Sequence, residues 1–431
     1  MGRLVRKALS ITATAAFLAA CGGPQLPIGA PGAMQPFSTP GAARQNVMPQ
    51  NARSFRVLYR FTGGARDGLT PGAALIDVNG TLYGTTPFGD GCRHGYGSGC
   101  GTVFSISTSG TEKVVYRFKG GSDGWLPVAS LIDHDGTLYG TTRYGGGSGC
   151  VEYFGCGTIY TISATGTERV IYAFGTYSNG TQPFAGLIDV NGTLYGTTWH
   201  GGASNNGTVF SLSKKGVETV LHSFTDSPDG ALPFASLIEV RGTLYGTTSG
   251  GGSRCGCGTV FSISTKGVEK VLYSFAGGSD GSYPNAGLTN VNGTLYGTTS
   301  PFICCSGGAG WGTVYRVSTS GDEKVLHHFG HGLDGSQPVA GLIDVKGTLY
   351  GTTESGGSGS ACGKYPGGCG TVYSISTTGT EKVLHSFSGG SDGWFPSAGL
   401  TYVRGKFYGT TVLGGSSHCD SGCGTVFALS P

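Results

Sequence analysis

The sequence predicts an all-β protein: a seven-bladed β-propeller of four-stranded antiparallel blades, closed by an N-terminal strand that completes the last blade. Three observations carry that expectation. The first is a phrase: Leu-Tyr-Gly-Thr-Thr begins at Leu82, Leu138, Leu194, Leu244, Leu295 and Leu349, and Phe-Tyr-Gly-Thr-Thr begins at Phe407. The spacings are 56, 56, 50, 51, 54 and 58 residues, a period that belongs to propellers and solenoids. The second is content, because each period holds four short β-rich runs parted by turn residues. The third is that the two ends complement each other. The array opens at Arg56-Val57-Leu58-Tyr59-Arg60-Phe61, which matches a fourth strand, and closes at Gly424-Thr425-Val426-Phe427, which matches a third. Joining the ends buries two strand edges that would otherwise invite aggregation, and distinct polar caps of an open solenoid are missing.

One repeat, Ala129 to Phe174, shows the elements in order. Leu131-Ile132-Asp133 forms a short apolar strand, and His134-Asp135-Gly136 turns it. Thr137 to Thr142 is a second strand rich in β-branched and aromatic residues. A Gly-rich loop runs from Tyr144 to Cys156, then Gly157 to Ile162 gives a third strand and Arg169 to Phe174 a fourth. Asn79-Gly80, Asp135-Gly136, Asn191-Gly192 and Asn292-Gly293 fill the first turn with residues that accept positive φ, a strong hairpin signal. The 84 glycines recur at fixed offsets, so they read as turn and close-packing positions rather than disorder.

The N-terminus reads as an export device. Arg3, Arg6 and Lys7 precede the apolar run Ala8 to Ala20, which is too short to span a membrane. Leu18-Ala19-Ala20-Cys21 resembles the bacterial lipobox, which implies a lipoprotein signal peptide over residues 1–20 and lipidation at Cys21. Gly22 after that Cys favours the outer membrane by the same analogy. Residues 21–54 combine the lipidated Cys with a Pro/Gly-rich tether that cannot bury a core, with a reach on the order of 30 Å. The propeller is then residues 55–431. The expected location is the outer membrane or cell surface of a bacterium, with the membrane as a partner through the lipid.

Leu-Tyr-Gly-Thr-Thr, Gly-Gly, Gly-Thr-Val-Phe, Glu-Lys-Val-Leu-His-Ser-Phe and Asp-Gly-x-x-Pro recur in that order from about Arg56 to Ser430. In this the chain resembles the bacterial GloVer tandem-repeat (choice-of-anchor) family. The resemblance implies a secreted or surface-anchored array and supplies no catalytic residues.

In such a ring the turns between strands one and two, and three and four, are short and share one face. The loops between strands two and three and the blade-linking loops share the other, where binding is expected. The blade-linking loops carry Asp67, Asp123, Asn179, Asp229, Asp280, Asp334 and Asp392, each followed by Gly-x-x-Pro. These read as turn-capping residues rather than a calcium ring, since no loop has calcium-loop density. Trp125, Tyr283, Trp394 and Phe395 lie in those loops, Phe184 and Phe234 follow the Pro, and Trp199 lies on the same face. Exposed, they would stack on a glycan; buried, they would wedge between blades.

Twelve cysteines fall in pairs in six of the seven long loops: Cys92/Cys100, Cys150/Cys156, Cys255/Cys257, Cys304/Cys305, Cys362/Cys369 and Cys419/Cys423. In an exported chain this reads as local disulfides, with cross-bridging between the two tightest pairs left open. No loop supplies four zinc ligands, although His94 and His418 lie beside pairs, so no metal is expected. The balance of 27 basic and 24 acidic residues gives no footprint for nucleic acid.

No catalytic set or cofactor motif emerges. The glutamates of Glu112-Lys113, Glu269-Lys270, Glu323-Lys324 and Glu381-Lys382 are expected in solvent, and His222, His327 and His385 as surface or packing residues. The non-repeating polar residues His200, Glu152, Glu354 and His331 are spread over different blades. The expected function is a displayed binding module for a glycan or envelope polymer, without catalysis. The alternatives are a scaffold for envelope proteins and a glycan-active enzyme.

Overall fold

The computed structural model describes residues 55–431, apart from 65–66, 90–91, 93–98, 148, 151–153, 164, 301–310, 331, 361 and 363–366. The signal, Cys21, the tether, His94, Glu152, His331, Cys304 and Cys305 lie outside the described residues. Seven four-stranded antiparallel sheets form the blades of a β-propeller. In the last blade Thr401–Val403, Lys406–Thr411 and Thr425–Leu429 are joined by Phe55–Arg60 as outer strand, with Phe55 opposite Leu429. The closure expected from the ends of the array is therefore present. The first strands of neighbouring blades touch, so these three-residue strands form the inner ring.

Nearly every letter of the repeated phrase has a structural use. Its Leu is buried in every blade that has it, as is Phe407 in the last. Its Gly lies under the aromatic ring of the third strand: a Cβ on Gly140 would stand 2.4 Å from the Tyr160 hydroxyl oxygen. The first Thr donates its hydroxyl to an alanine carbonyl of the next blade, as Thr85 does to Ala129 at 3.1 Å and Thr352 to Ala398 at 3.0 Å. Thr410 makes the same bond to Ala73 across the closure. The second Thr pairs its hydroxyl with the first Thr of the third strand inside its own blade, as in Thr142–Thr158 at 2.7 Å. These hydroxyls are buried and partnered, the state in which a polar core group costs little.

The first turn is left-handed in all seven blades. Asn79, Asp135, Asn191 and Asn292 take φ of 54, 52, 55 and 53°, as do Arg241, Lys346 and Arg404 near the same value. Sequence reasoning located four of these turns by residue type. The other three are imposed by the sheet on residues without that preference.

The outer strand carries a bulge at one place in every blade. Leu58, Val115, Ile171, Leu221, Leu272, Leu326 and Leu384 are the extra residues. A bulge re-aims the side chain beside it. Here that neighbour is Tyr59, Tyr116, Tyr172, His222, Tyr273, His327 or His385.

Candidate functional site

Two regions gather polar side chains: the rim, where outer strands of adjacent blades meet, and the axial mouth, where the blade-linking loops run into the inner strands.

At the rim, the Asp of each Asp-Gly turn is consumed by the fold. Asp123 accepts the Tyr116 hydroxyl at 2.7 Å and the Lys119 backbone N–H at 2.6 Å. Asp67 and Asp280 repeat this with Tyr59 and Tyr273. His222 lies 3.1 Å from both oxygens of Asp229. His327 and His385 face Asp334 and Asp392. These histidines are therefore partners of a specific carboxylate, more than the packing residues expected from sequence. The following Gly admits the turn to the sheet: a Cβ on Gly124, at φ +89°, would be 2.3 Å from the Thr142 hydroxyl.

The glutamates correct a second expectation. Glu112, Glu269, Glu323 and Glu381 are half-buried while the lysines beside them are exposed. Each Glu starts an outer strand and sits against the Tyr/His–Asp pair of the preceding blade, so the neighbour covers it. Tyr116 reaches Glu168 at 3.4 Å, and Asn179 donates to Glu218 at 2.9 Å. Burial first, and the adjacent Asp second, push the carboxyls of Glu112, Glu168, Glu269, Glu323 and Glu381 up to about 7. The closure interface differs: Phe55 takes the Glu position and stacks on His385 at 3.7 Å.

At the axial mouth the backbone is constant and the side chains are not. Thr70, Leu126, Gln182, Leu232, Tyr283, Gln337 and Phe395, the residues before each Pro, all have φ between 54 and 59°. That conformation is uncommon for non-glycine residues. It is held from both sides. The N–H of each bonds to the residue preceding the Gly-Thr of the previous third strand, for example Leu126 to Cys100 at 3.1 Å and Gln182 to Cys156 at 2.8 Å. The carbonyl of each accepts from the residue after Thr-Thr in its own blade where that residue has an N–H, for example Arg143 to Leu126 at 3.0 Å. Each repeat therefore offers fixed positions just after Thr-Thr and just after Pro.

Those positions are not fixed by the repeat and vary from blade to blade. On one side they are Arg143, Phe184, Trp199 and Phe234. Phe184 and Phe234 pack at 4.1 Å, and the Arg143 guanidinium lies 4.9 Å from the Tyr144 ring, 5.0 Å from Phe184 and 5.2 Å from Trp199. Arg143 also donates to Gln182 at 3.0 Å. In later blades they are Glu354 and Ser397, with the Ser397 hydroxyl donating to Glu354 at 2.6 Å. Burial raises the Glu354 carboxyl, and the Ser397 bond offsets part of that rise.

The aromatic residues separate accordingly. Trp125 and Trp394 are 3% and 8% exposed and are packing residues, not open stacking platforms. The Trp125 indole N–H reaches the Phe154 carbonyl at 3.4 Å, and that of Trp394 reaches Ser421 at 3.1 Å. Each thereby braces the disulfide loop of its own blade. Trp199 is 5% exposed and forms the floor beside Phe184 and Phe234. Phe184, Phe234, Tyr283 and Phe395 remain partly exposed. Sequence reasoning missed Arg143, and it treated Glu354 as isolated. The available signal was that the residue after Thr-Thr varies between repeats, from Pro87 through Arg143, Trp199, Ser249 and Ser300 to Glu354 and Val412.

Five disulfides are present among the described residues: Cys92–Cys100, Cys150–Cys156, Cys255–Cys257, Cys362–Cys369 and Cys419–Cys423. Cys255 and Cys257 pair with each other, which removes the cross-bridge that the sequence left open. The sixth expected bridge, between Cys304 and Cys305, lies in the segment 301–310, outside the described residues. The second Cys of a pair gives its carbonyl to the next blade's left-handed residue, as Cys369 does to Phe395, so the bridges also support the blade-to-blade link. Multiple disulfides point to an oxidising, exported location. Among the described residues, no helix is long and apolar enough to cross a membrane.

Fold and site together define a disulfide-braced repeat propeller with a variable axial mouth. The chain belongs to the Gloeobacter/Verrucomicrobia repeat family, matched over residues 46–257, 153–302 and 303–431. No curated protein matches its sequence. Among solved structures it is similar to virginiamycin B lyase from Staphylococcus aureus, at 13% identity and TM-score 0.54, over 88% of this chain and 99% of the lyase. A streptogramin B lyase structure gives 14% identity and TM-score 0.54, over 88% and 98%. At that identity the likeness concerns the fold.

Proposed function

We propose that the protein is an exported, non-catalytic binding module, held to the outer membrane or cell surface through a lipid on Cys21, that takes a glycan or another envelope polymer at the axial mouth. The observation that carries this reading is the pairing of constant backbone with variable side chains around the mouth. A rigid frame that presents different residues at equivalent positions is the arrangement used for recognition. Phe184 and Phe234 offer partly exposed apolar faces beside Arg143, and Glu354 with Ser397 adds acceptors and a hydroxyl. Aromatic faces with convergent polar groups suit a sugar, whose C–H faces stack while its hydroxyls are held. The test is a glycan array, including envelope polysaccharides, probed with the oxidised protein. Saturable binding to a defined class supports the reading; a blank array from folded protein overturns it.

A further inference from the structure

We infer that His222, Asp229 and Glu269 form a site for a first-row divalent cation of the zinc class, which clamps two neighbouring blades together at the rim. His222 lies on the outer strand of one blade, Asp229 on the loop that follows it, and Glu269 on the outer strand of the next. One ligand atom from each lies within 4.8 Å of the others. His222 Nε2 is 3.1 Å from both Asp229 oxygens. Glu269 Oε1 is shielded from solvent and accepts no hydrogen bond, as is true of the equivalent glutamate at the other interfaces that have one, so what singles this one out is the close approach of His222 and Asp229. One imidazole nitrogen and two carboxylate oxygens are a donor set that zinc and its neighbours take, with water completing the coordination. A dication also neutralises two carboxylates that otherwise confront each other.

The ring supplies its own controls. Four of the seven equivalent slots hold tyrosine in place of His222, at Tyr59, Tyr116, Tyr172 and Tyr273. At the closure, His385 and Asp392 lack the glutamate because Phe55 stands there. Five interfaces therefore lack at least one of the three ligands while keeping the same backbone, Tyr172 and Asn179 replacing two of them, and the remaining one repeats the residue types as His327, Asp334 and Glu381 with a longer His–Asp separation of 3.4 Å. His222→Tyr installs what four other blades already tolerate.

The experiment is calorimetric titration of the oxidised full chain with Zn²⁺, with the thermal transition followed in parallel. The expected result is saturable binding that raises the transition temperature, with one equivalent lost in both His222→Tyr and Glu269→Gln. Binding must also weaken as pH falls, because the metal competes with protons for these ligands. Glu269→Gln keeps the claim testable if His222→Tyr folds poorly. Absence of saturable Zn²⁺ binding, or equal stoichiometry in the wild type and both variants, overturns it.

Discussion

The rim and the axial mouth use the same repeat in opposite ways. At the rim, each blade places nearly the same residues in the same contacts: Tyr or His on Asp or Asn, then Glu from the next blade. At the mouth, each blade fixes the same backbone and changes the side chain. Residues that recur are spent on folding the ring. Residues that break the repeat are the ones the proposed function assigns to recognition. Seven copies of a phrase therefore reveal architecture, and the proposal places function in the gaps between the copies.

The largest expected break is in the repeated part. Gly140→Ala drives a methyl into Tyr160 and Leu131 in a filled blade core. Overpacking of this kind costs about 1–3 kcal/mol, read as a lower midpoint in chemical denaturation. The same experiment on Val339→Ser, at the mouth, is expected to leave the midpoint nearly unchanged, since that residue is only half-buried.

Next comes acidity. Five rim glutamates have folded-state values raised to about 7, so the folded ring holds these protons more tightly than the unfolded chain. Their stabilisation is fully present below the ordinary carboxylate range and is lost as pH rises through about 7. Melting scans are expected to show a lower transition at pH 8 than at pH 5. Glu112, which faces Tyr59, Asp67 and Arg117, gives the single-site version: Glu112→Gln is expected to flatten part of that slope. An unchanged slope would remove the protonated glutamate from the account of the rim.

A smaller effect is expected from one interblade hydroxyl. Thr352→Val keeps the shape and deletes the bond to Ala398, which costs about 1 kcal/mol.

Much of the ring was legible in the sequence because it is periodic. The four strands per repeat, four of the seven first turns and the closing strand Phe55–Arg60 each left a local signal. The rim was harder. Glu112 looks like a solvent-facing turn residue until the preceding blade covers it, and that contact joins residues 52 positions apart in the case of Tyr116 and Glu168. The tryptophans left two readings open for a related reason. Trp125 sits among loop residues that look exposed, yet the Cys150–Cys156 loop folds over it. Arg143 was invisible as a site residue because its partners Phe184 and Trp199 come from the next blade.

The most direct test of the division between rim and mouth pairs two variants in one binding assay. Phe184→Ala with Phe234→Ala strips the mouth, and Tyr273→Phe removes a rim hydroxyl from Asp280. Against a glycan that the wild type binds, the mouth variant is expected to lose at least about tenfold in affinity while remaining folded, and the rim variant to bind as the wild type does. Full binding by a folded mouth variant, or loss of binding in a folded rim variant, would contradict the account.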